Sequence, residues 1–301
     1  MTTPEFTTFA PQITGDGSFT FFSQEFGEAF HSHFGAKQES FLKFVSPTQL
    51  RDAAQKPILH LLDICYGLGY NTAAALQTIW AVNPNCYVEL IGVELNPSVP
   101  QAAIEHDVLD NWNYEHTPIL KTLAFEQQVQ TPRLNAKLLI GDARDSIKRL
   151  HQLGFQADAI FLDPFSPPQC PQLWTVEFLQ KVALCLHRDG LLATYSCAAA
   201  VRTALLTAGL QIGSTPPVGR RTPGTVAAYP KHPESEAHPA LPSLSLAEQE
   251  HLLTRAAIPY RDPQLNDSAD VILQRRQQEQ QASKLEPTSR WRKRWSHSNY
   301  T

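Results

Sequence analysis

Between residues 57 and about 230, short apolar runs alternate with helical patterns, and this alternation limits the possible folds more than anything else in the chain. The strand candidates are ILHLLDI (58–64), VELIGVE (88–94), AKLLIG (136–141), DAIFLD (158–163), GLLATYS (190–196) and TVAAYP (225–230). Segments such as TAAALQTIWA and TVEFLQKVALCLH fill the gaps with helical patterns. Parallel neighbours need long crossover connections, usually helical, whereas a hairpin needs only a few residues. The alternation therefore predicts an α/β fold with a mostly parallel sheet covered by helices on both faces.

The 301 residues, 42% of them hydrophobic, can bury a sizeable core as one large domain or as a domain with an appendage. A net charge of −4 carries no global nucleic-acid signature, although it leaves room for a local basic patch. The cysteines at 65, 86, 170, 185 and 197 form no C-x-x-C pair, which predicts reduced thiols rather than a disulfide framework or a zinc site. His31 and His33 have no third ligand at metal-binding spacing, so no metal site is expected. The stretch MTTPEFTTFAP lacks the basic and apolar regions of a signal peptide. No run approaches the ~18 apolar residues of a spanning helix. These features predict a cytoplasmic protein with no membrane association.

The run LLDICYGLGYNT places Asp63, Gly67 and Gly69 at the end of the first central strand. Glycines there let the backbone turn tightly and approach a ligand. A dinucleotide fingerprint would want a third glycine, to pack the helix and seat a pyrophosphate. Thr72 stands in that place, so a cofactor without phosphates fits better. Glu94 ends the second strand, where a carboxylate can accept bonds from both hydroxyls of a ribose. Asp142 follows the third, within reach of an adenine amino group, and Asp163 follows the fourth. Four successive strands thus carry an acid at the sheet edge where open α/β sheets bind ligands. That series favours S-adenosylmethionine over any dinucleotide.

With these residues in place, the chain resembles the class I S-adenosylmethionine-dependent methyltransferases. More narrowly, it resembles the MnmC-like methyltransferases that complete 5-methylaminomethyl(-2-thio)uridine at the tRNA wobble position. The resemblance covers roughly residues 10 to 230. It rests on DGSFTFFSQEFGEAFHSHFGA, on DPFSPPQCPQLWT, on LLATYSCAAAVRTALLTAGL and on VGRRTPG. It implies a Rossmann-like sheet of seven strands, S-adenosylmethionine as cofactor, tRNA as partner, and N-methylation of 5-aminomethyl(-2-thio)uridine. The glycine loop, CYGLGY, departs from the G-x-G-T-G usual in bifunctional members.

The amine must be neutral and in line with the breaking bond, so the enzyme supplies position and a polar environment. Asp163 is the candidate to orient the amine and accept its proton. Pro164, Pro167 and Pro168 stiffen the loop by fixing φ, Phe165 is placed to stack on the base or on adenine, and Trp174 packs the loop on the next helix. The segment QEFGEAFHSHFGAKQESFLKFV reads as helix with a glycine interruption, which would put Glu28 and His31 on one face. The resemblance makes residues 1–56 a lid that helps to seat the uridine. Arg202, Arg220 and Arg221 suit phosphates at the pocket mouth.

Residues 57–230 form the expected methyltransferase core, and 231–287 a linker with a helical extension. The last stretch, 288–301, is basic and aromatic, with Arg290, Arg292, Lys293 and Arg294 around Trp291 and Trp295, and is expected to fray or to bind RNA. No second strand-G-x-G-x-x-G-helix unit follows residue 230, so no FAD-dependent step is expected. Two other functions compete: transfer of a methyl or aminopropyl group to a small amine, and non-catalytic RNA binding on the same fold.

Overall fold

The computed structural model describes residues 9–112, 115–219, 222–231 and 240–296. At the N-terminal end, β1 (Gln12–Ile13) pairs with β2 (Phe19–Thr20), and β3 (Phe22–Ser23) pairs with β4 (Glu28–Ala29). The helix expected across 24–45 is therefore confined to its second half. Gly27 takes a φ of +65° and donates its N–H to the Ser23 carbonyl at 2.9 Å, which closes a hairpin turn where a helix would have to run. Glu28 lies in β4 and His31 just beyond it, so the shared helical face does not exist. The chain becomes helical at Ala36–Glu39 and widens into a π-helical turn over Ser40–Val45, with the Ser46 N–H bonded to the Phe41 carbonyl at 2.8 Å.

The main sheet contains β5 (Ile58–Ile64), β6 (Tyr87–Glu94), β7 (Gln128–Thr131), β8 (Leu134–Ile140), β9 (Ala157–Leu162), β10 (Leu186–Thr194), β11 (Gln211–Thr215) and β12 (Gly224–Ala228). Their order is β11-β12-β10-β9-β5-β6-β8-β7. The five central strands are parallel, and β12 runs antiparallel between β10 and β11. The sheet has eight strands rather than seven, because β7 adds an antiparallel ribbon to the outer edge of β8. Gln128–Thr131 alternates exposed with half-buried residues and has no continuous apolar run, so periodicity alone does not mark it.

Two apolar layers cover the sheet. One contains the helix Tyr70–Val82, buried on nearly all sides because the π-helical turn packs over it. The other contains the helices Ala143–Gln152, Val176–Leu184 and Ala199–Thr207. Beyond them the C-terminal extension folds back as the helices Leu246–His251, Ala269–Ala282 and Thr288–Ser296. Ser245 and Glu248 make the capping box that their spacing predicts. The chain visits β5, β6 and β8, then returns to β9 and β10 on the other side of β5. The reversal of direction between β5 and β9 opens a crevice at their carboxyl ends.

Candidate active site

A cavity of about 540 Å³ occupies that crevice. Gly67 and Glu94 line one side, Asp163, Pro164 and Phe165 another, and the N-terminal hairpins cover it with Phe26, Glu28 and Phe30.

The glycine loop and Glu94 are built as one unit. Gly67, at φ +57°, donates its N–H to Glu94 Oε2 at 2.8 Å, and the Asn96 N–H donates to Oε1 at 2.9 Å. Burial pushes the Glu94 carboxyl above its usual range, against the backbone N–H groups that favour the charged form. Two fixed oxygens, each with a lone pair to spare, suit a pair of neighbouring hydroxyls. Gly69, at φ +84°, caps the helix Tyr70–Val82 and lies against the Tyr66 ring. Asp63 is fully buried beneath the loop and accepts from Thr72 Oγ1 at 2.7 Å, while its Oδ1 has no hydrogen-bond partner among the described residues. Burial pushes its pKa up to about 7. Thr72, which occupies the place of the third glycine, thus ties the first strand to the helix after the loop.

Asp163 lies across the crevice. Its Oδ2 accepts from Asn71 Nδ2 at 2.9 Å, so one bond joins the helix after β5 to the loop after β9. Oδ1 has no hydrogen-bond partner among the described residues. Burial holds the carboxyl well above the usual carboxylate range. The stiff loop is held at several points: Tyr195 Oη donates to the Pro164 carbonyl at 2.9 Å, and Trp174 Nε1 to the Phe165 carbonyl at 2.9 Å. Trp174 is fully buried. Glu28 accepts the Ser166 N–H at 2.9 Å and the Ser166 hydroxyl as well, which latches the lid to the loop.

The decisive comparison is with the crystal structure of MNMC2 from Aquifex aeolicus. The two chains are 32% identical, with a TM-score of 0.76 over 93% of this chain and 87% of that one. The chain belongs to the MnmC-like S-adenosylmethionine-dependent methyltransferases. The signature of a family described as S-adenosyl-L-methionine-dependent methyltransferase also matches residues 106–230. An uncharacterized protein of Methanocaldococcus jannaschii is 29% identical over 278 residues, which cover 90% of this chain and 72% of that protein. The tRNA 5-methylaminomethyl-2-thiouridine biosynthesis bifunctional protein MnmC of Ralstonia nicotianae is 29% identical over 245 residues. The match takes in 76% of this chain and only 36% of that protein, so the chain spans about a third of its bifunctional relative.

The cofactor of this MnmC-like enzyme is S-adenosylmethionine. The cradle fits it: Gly67 lines the cavity with no side chain of its own to fill it, and Glu94 offers pinned oxygens beside it. The expected site residues separate into three groups. Gly67, Glu94, Asp163, Pro164, Phe165, Glu28 and His31 all line the cavity. Asp63 and Gly69 support the loop from below and behind. Asp142 and Arg202 stand apart from the lining. Asp142 caps the helix Ala143–Gln152 through the Arg144 N–H at 2.8 Å, and the Arg144 guanidinium holds both its oxygens.

The expectation for Arg202 needs correction. Its guanidinium is 2% exposed, paired with Glu248 at 2.8 Å and bonded to Thr225 Oγ1 at 3.0 Å, so it has no reach to a phosphate. Phe165 is also less free than expected. Its ring stacks on Phe26 at 4.4 Å and meets Phe30 edge-on at 5.0 Å, both from the lid. His31 packs edge-on against Tyr70 at 5.1 Å, and burial lowers its pKa to about 4. Arg220 and Arg221 lie outside the described residues, as do residues 297–301 of the tail. Residues 288–296 form a docked helix instead of a frayed end. Trp291 stacks on His251 at 4.0 Å, and Arg294 pairs with Glu250 at 2.9 Å and with Glu286 at 2.6 Å.

Asn71 and Lys43 were not singled out in the sequence. Asn71 follows the glycine loop directly, which is a usable signal. Lys43 is a lone charge inside the apolar run FLKFV, and a cation there must either reach solvent or face something polar.

Proposed function

We propose that this chain is a tRNA N-methyltransferase that converts 5-aminomethyl(-2-thio)uridine to 5-methylaminomethyl(-2-thio)uridine at the wobble position. The observation that carries the reading is Asp163, with one oxygen pinned by Asn71 and the other unbonded in a cavity that also holds Gly67 and Glu94. When bound, S-adenosylmethionine supplies a methyl group on a positively charged sulfur. In that transfer the sulfur–carbon bond would break with its electron pair left on sulfur, the amine nitrogen would form the new bond to carbon, and one N–H proton would be left for the protein to take. Asp163 Oδ1 orients the amine by accepting an N–H and then takes that proton. Its raised pKa makes it a stronger base than an exposed carboxylate. Asn71 keeps the carboxylate from rotating, and the proline loop keeps its root still. Glu94 and the Gly67 backbone hold the ribose and the turn beside it. The latched lid excludes water, which strengthens each polar contact inside.

The Ralstonia nicotianae relative is named for 5-methylaminomethyl-2-thiouridine biosynthesis, which supports the choice of base. The test is mass spectrometry of wobble nucleosides after incubating the chain and S-adenosylmethionine with defined tRNAs and, separately, with polyamines. The proposal expects a mass gain of one methylene on tRNA bearing 5-aminomethyluridine. It expects no change of the carboxymethylaminomethyl form by this chain, and no methylated polyamine. Methylated polyamine with untouched tRNA would overturn it.

A further inference from the structure

Lys43 sits in the π-helical turn Ser40–Val45 with its side chain only 2% exposed, and it lines the cavity. An ammonium taken out of water needs compensation. Its one ion pair is Glu39, at 3.5 Å, which is too long for a hydrogen bond. The Glu39 oxygens already accept from Ser32, 3.0 Å to its N–H and 2.7 Å to its hydroxyl. Among the described residues the Lys43 ammonium makes no hydrogen bond, so a group with three donors faces the cavity with no acceptor in bonding distance. The charge also acts on Asp163 and on Cys197, which follow the carboxyl ends of β9 and β10. In the sheet order, Glu94 on β6 is two strands from β9. The turn Ser40–Val45 packs against β10, which lies beyond β9 as seen from Glu94, so Lys43 approaches Asp163 from the side away from the ribose acceptor. A cation beside the amine's landing point suits an oxygen carried by the same substrate.

We infer that Lys43 binds the ring carbonyl oxygen adjacent to the carbon bearing the aminomethyl group, and so selects an amine displayed on a pyrimidine that carries this carbonyl. The inference rests on the substrate reading above. In that base the carbonyl is the acceptor nearest the amine. Asp163 accepting from the amine while Lys43 donates to the carbonyl fixes both ends of the reacting edge. A polyamine has no such oxygen and would meet a buried like charge.

The test uses two anticodon stem-loop RNAs, one with 5-aminomethyluridine and one with its 4-thio analogue, whose thiocarbonyl is a weaker acceptor. Wild-type enzyme should prefer the oxygen RNA. Lys43→Met should lose about 10- to 100-fold in kcat/KM on the oxygen RNA, as expected for a hydrogen bond to a charged group. It should lose little on the thio RNA, so that the two become near-equal substrates. Affinity for S-adenosylmethionine, read by calorimetry, should stay within about twofold, since K43M removes no cofactor contact in this account. Undiminished preference for oxygen in the variant would overturn the inference. A parallel loss of cofactor affinity would also overturn it, by placing Lys43 on the cofactor's carboxylate. Should Lys43→Met fail to fold because Glu39 is left unpaired, the double variant with Glu39→Gln removes that charge and must show the same levelling. Wild-type enzyme inactive on both RNAs would sink the substrate reading itself, an outcome distinct from either failure of Lys43.

Discussion

The N-terminal hairpins and the C-terminal extension both wrap the sheet, and they are attached by different forces. The lid meets the proline loop through Phe26 and Phe30 on Phe165 and through the two bonds from Ser166 to Glu28. The extension is fastened by ion pairs, Arg202 to Glu248 at 2.8 Å and Arg144 to Asp262 at 3.0 Å, and by Tyr260, Leu265 and Ile272 in the second apolar layer. Arg202 and Asp262 are buried, Asp262 completely. The lid supplies cavity-lining residues, and among the described residues the extension supplies none. A few local contacts can be broken and remade for each substrate, whereas buried ion pairs cost too much to open. The difference points to a lid that works in the catalytic cycle and an extension that holds the frame.

Arg202→Ala should have the largest effect on the frame. Truncating a buried, paired guanidinium costs about 3 kcal/mol, less where the partner can reach water. Denaturant unfolding should register that loss, while kcat/KM, measured well below the melt, should stay close to wild type. Activity lost without a change in stability would place Arg202 in the site after all. Glu28→Ala should do the reverse. Losing two bonds to a charged acceptor, about 1.5–3 kcal/mol at most for each in a closed site, should lower kcat/KM roughly tenfold. The unfolding midpoint should hardly move. If stability falls and turnover per folded molecule does not, the latch is structural and the contrast between the segments fails.

Acid should separate the two segments with a smaller effect. Burial lowers His31 in the lid from 6.5 to about 4. The unfolded chain binds that proton first, so the contribution of the neutral ring is present above pH 6.5 and is lost as pH falls toward 4. In the extension, burial raises the Glu248 carboxyl, but bonds from Ser214, Ser245 and Arg202 outweigh it and bring the pKa down to about 2. Its contribution is present above 4.5 and is lost only as pH falls toward 2. Hydrogen exchange between pH 7 and 4 should therefore show the lid loosening first, and His31→Gln should flatten that response. Simultaneous loosening would remove the distinction.

The same two segments mark where sequence reasoning succeeds. Strand positions are legible because apolar runs of five to eight residues force a backbone in or out of the core, and β5 coincides with the predicted 58–64. The acids at the strand ends follow from those runs. The lid is not legible in this way, because its aromatic spacing mimics a helical face and only the conformation of Gly27 reveals the turn. Arg202 was misread because its partner is 34 residues beyond Ser214 and reached only through the fold. A sequence shows that an arginine is present but does not show which carboxylate it will meet. The docked helix Thr288–Ser296 is the same case, since its Arg294 is paired with Glu250 and Glu286.

In the proposed mechanism Asp163 acts on the amine while Glu94 and Gly67 hold the cofactor. The most direct measurement is Asp163→Asn, with S-adenosylmethionine affinity by calorimetry and single-turnover methyl transfer to 5-aminomethyluridine tRNA on the same preparation. The side chain keeps its shape and can still meet Asn71, but it cannot take a proton. Transfer should slow by about 10²-fold or more, with cofactor affinity nearly unchanged. The acid limb that the raised Asp163 pKa gives to the wild-type pH profile should vanish. Collapse of cofactor binding with normal transfer by the bound fraction would make Asp163 a cofactor ligand and contradict the account.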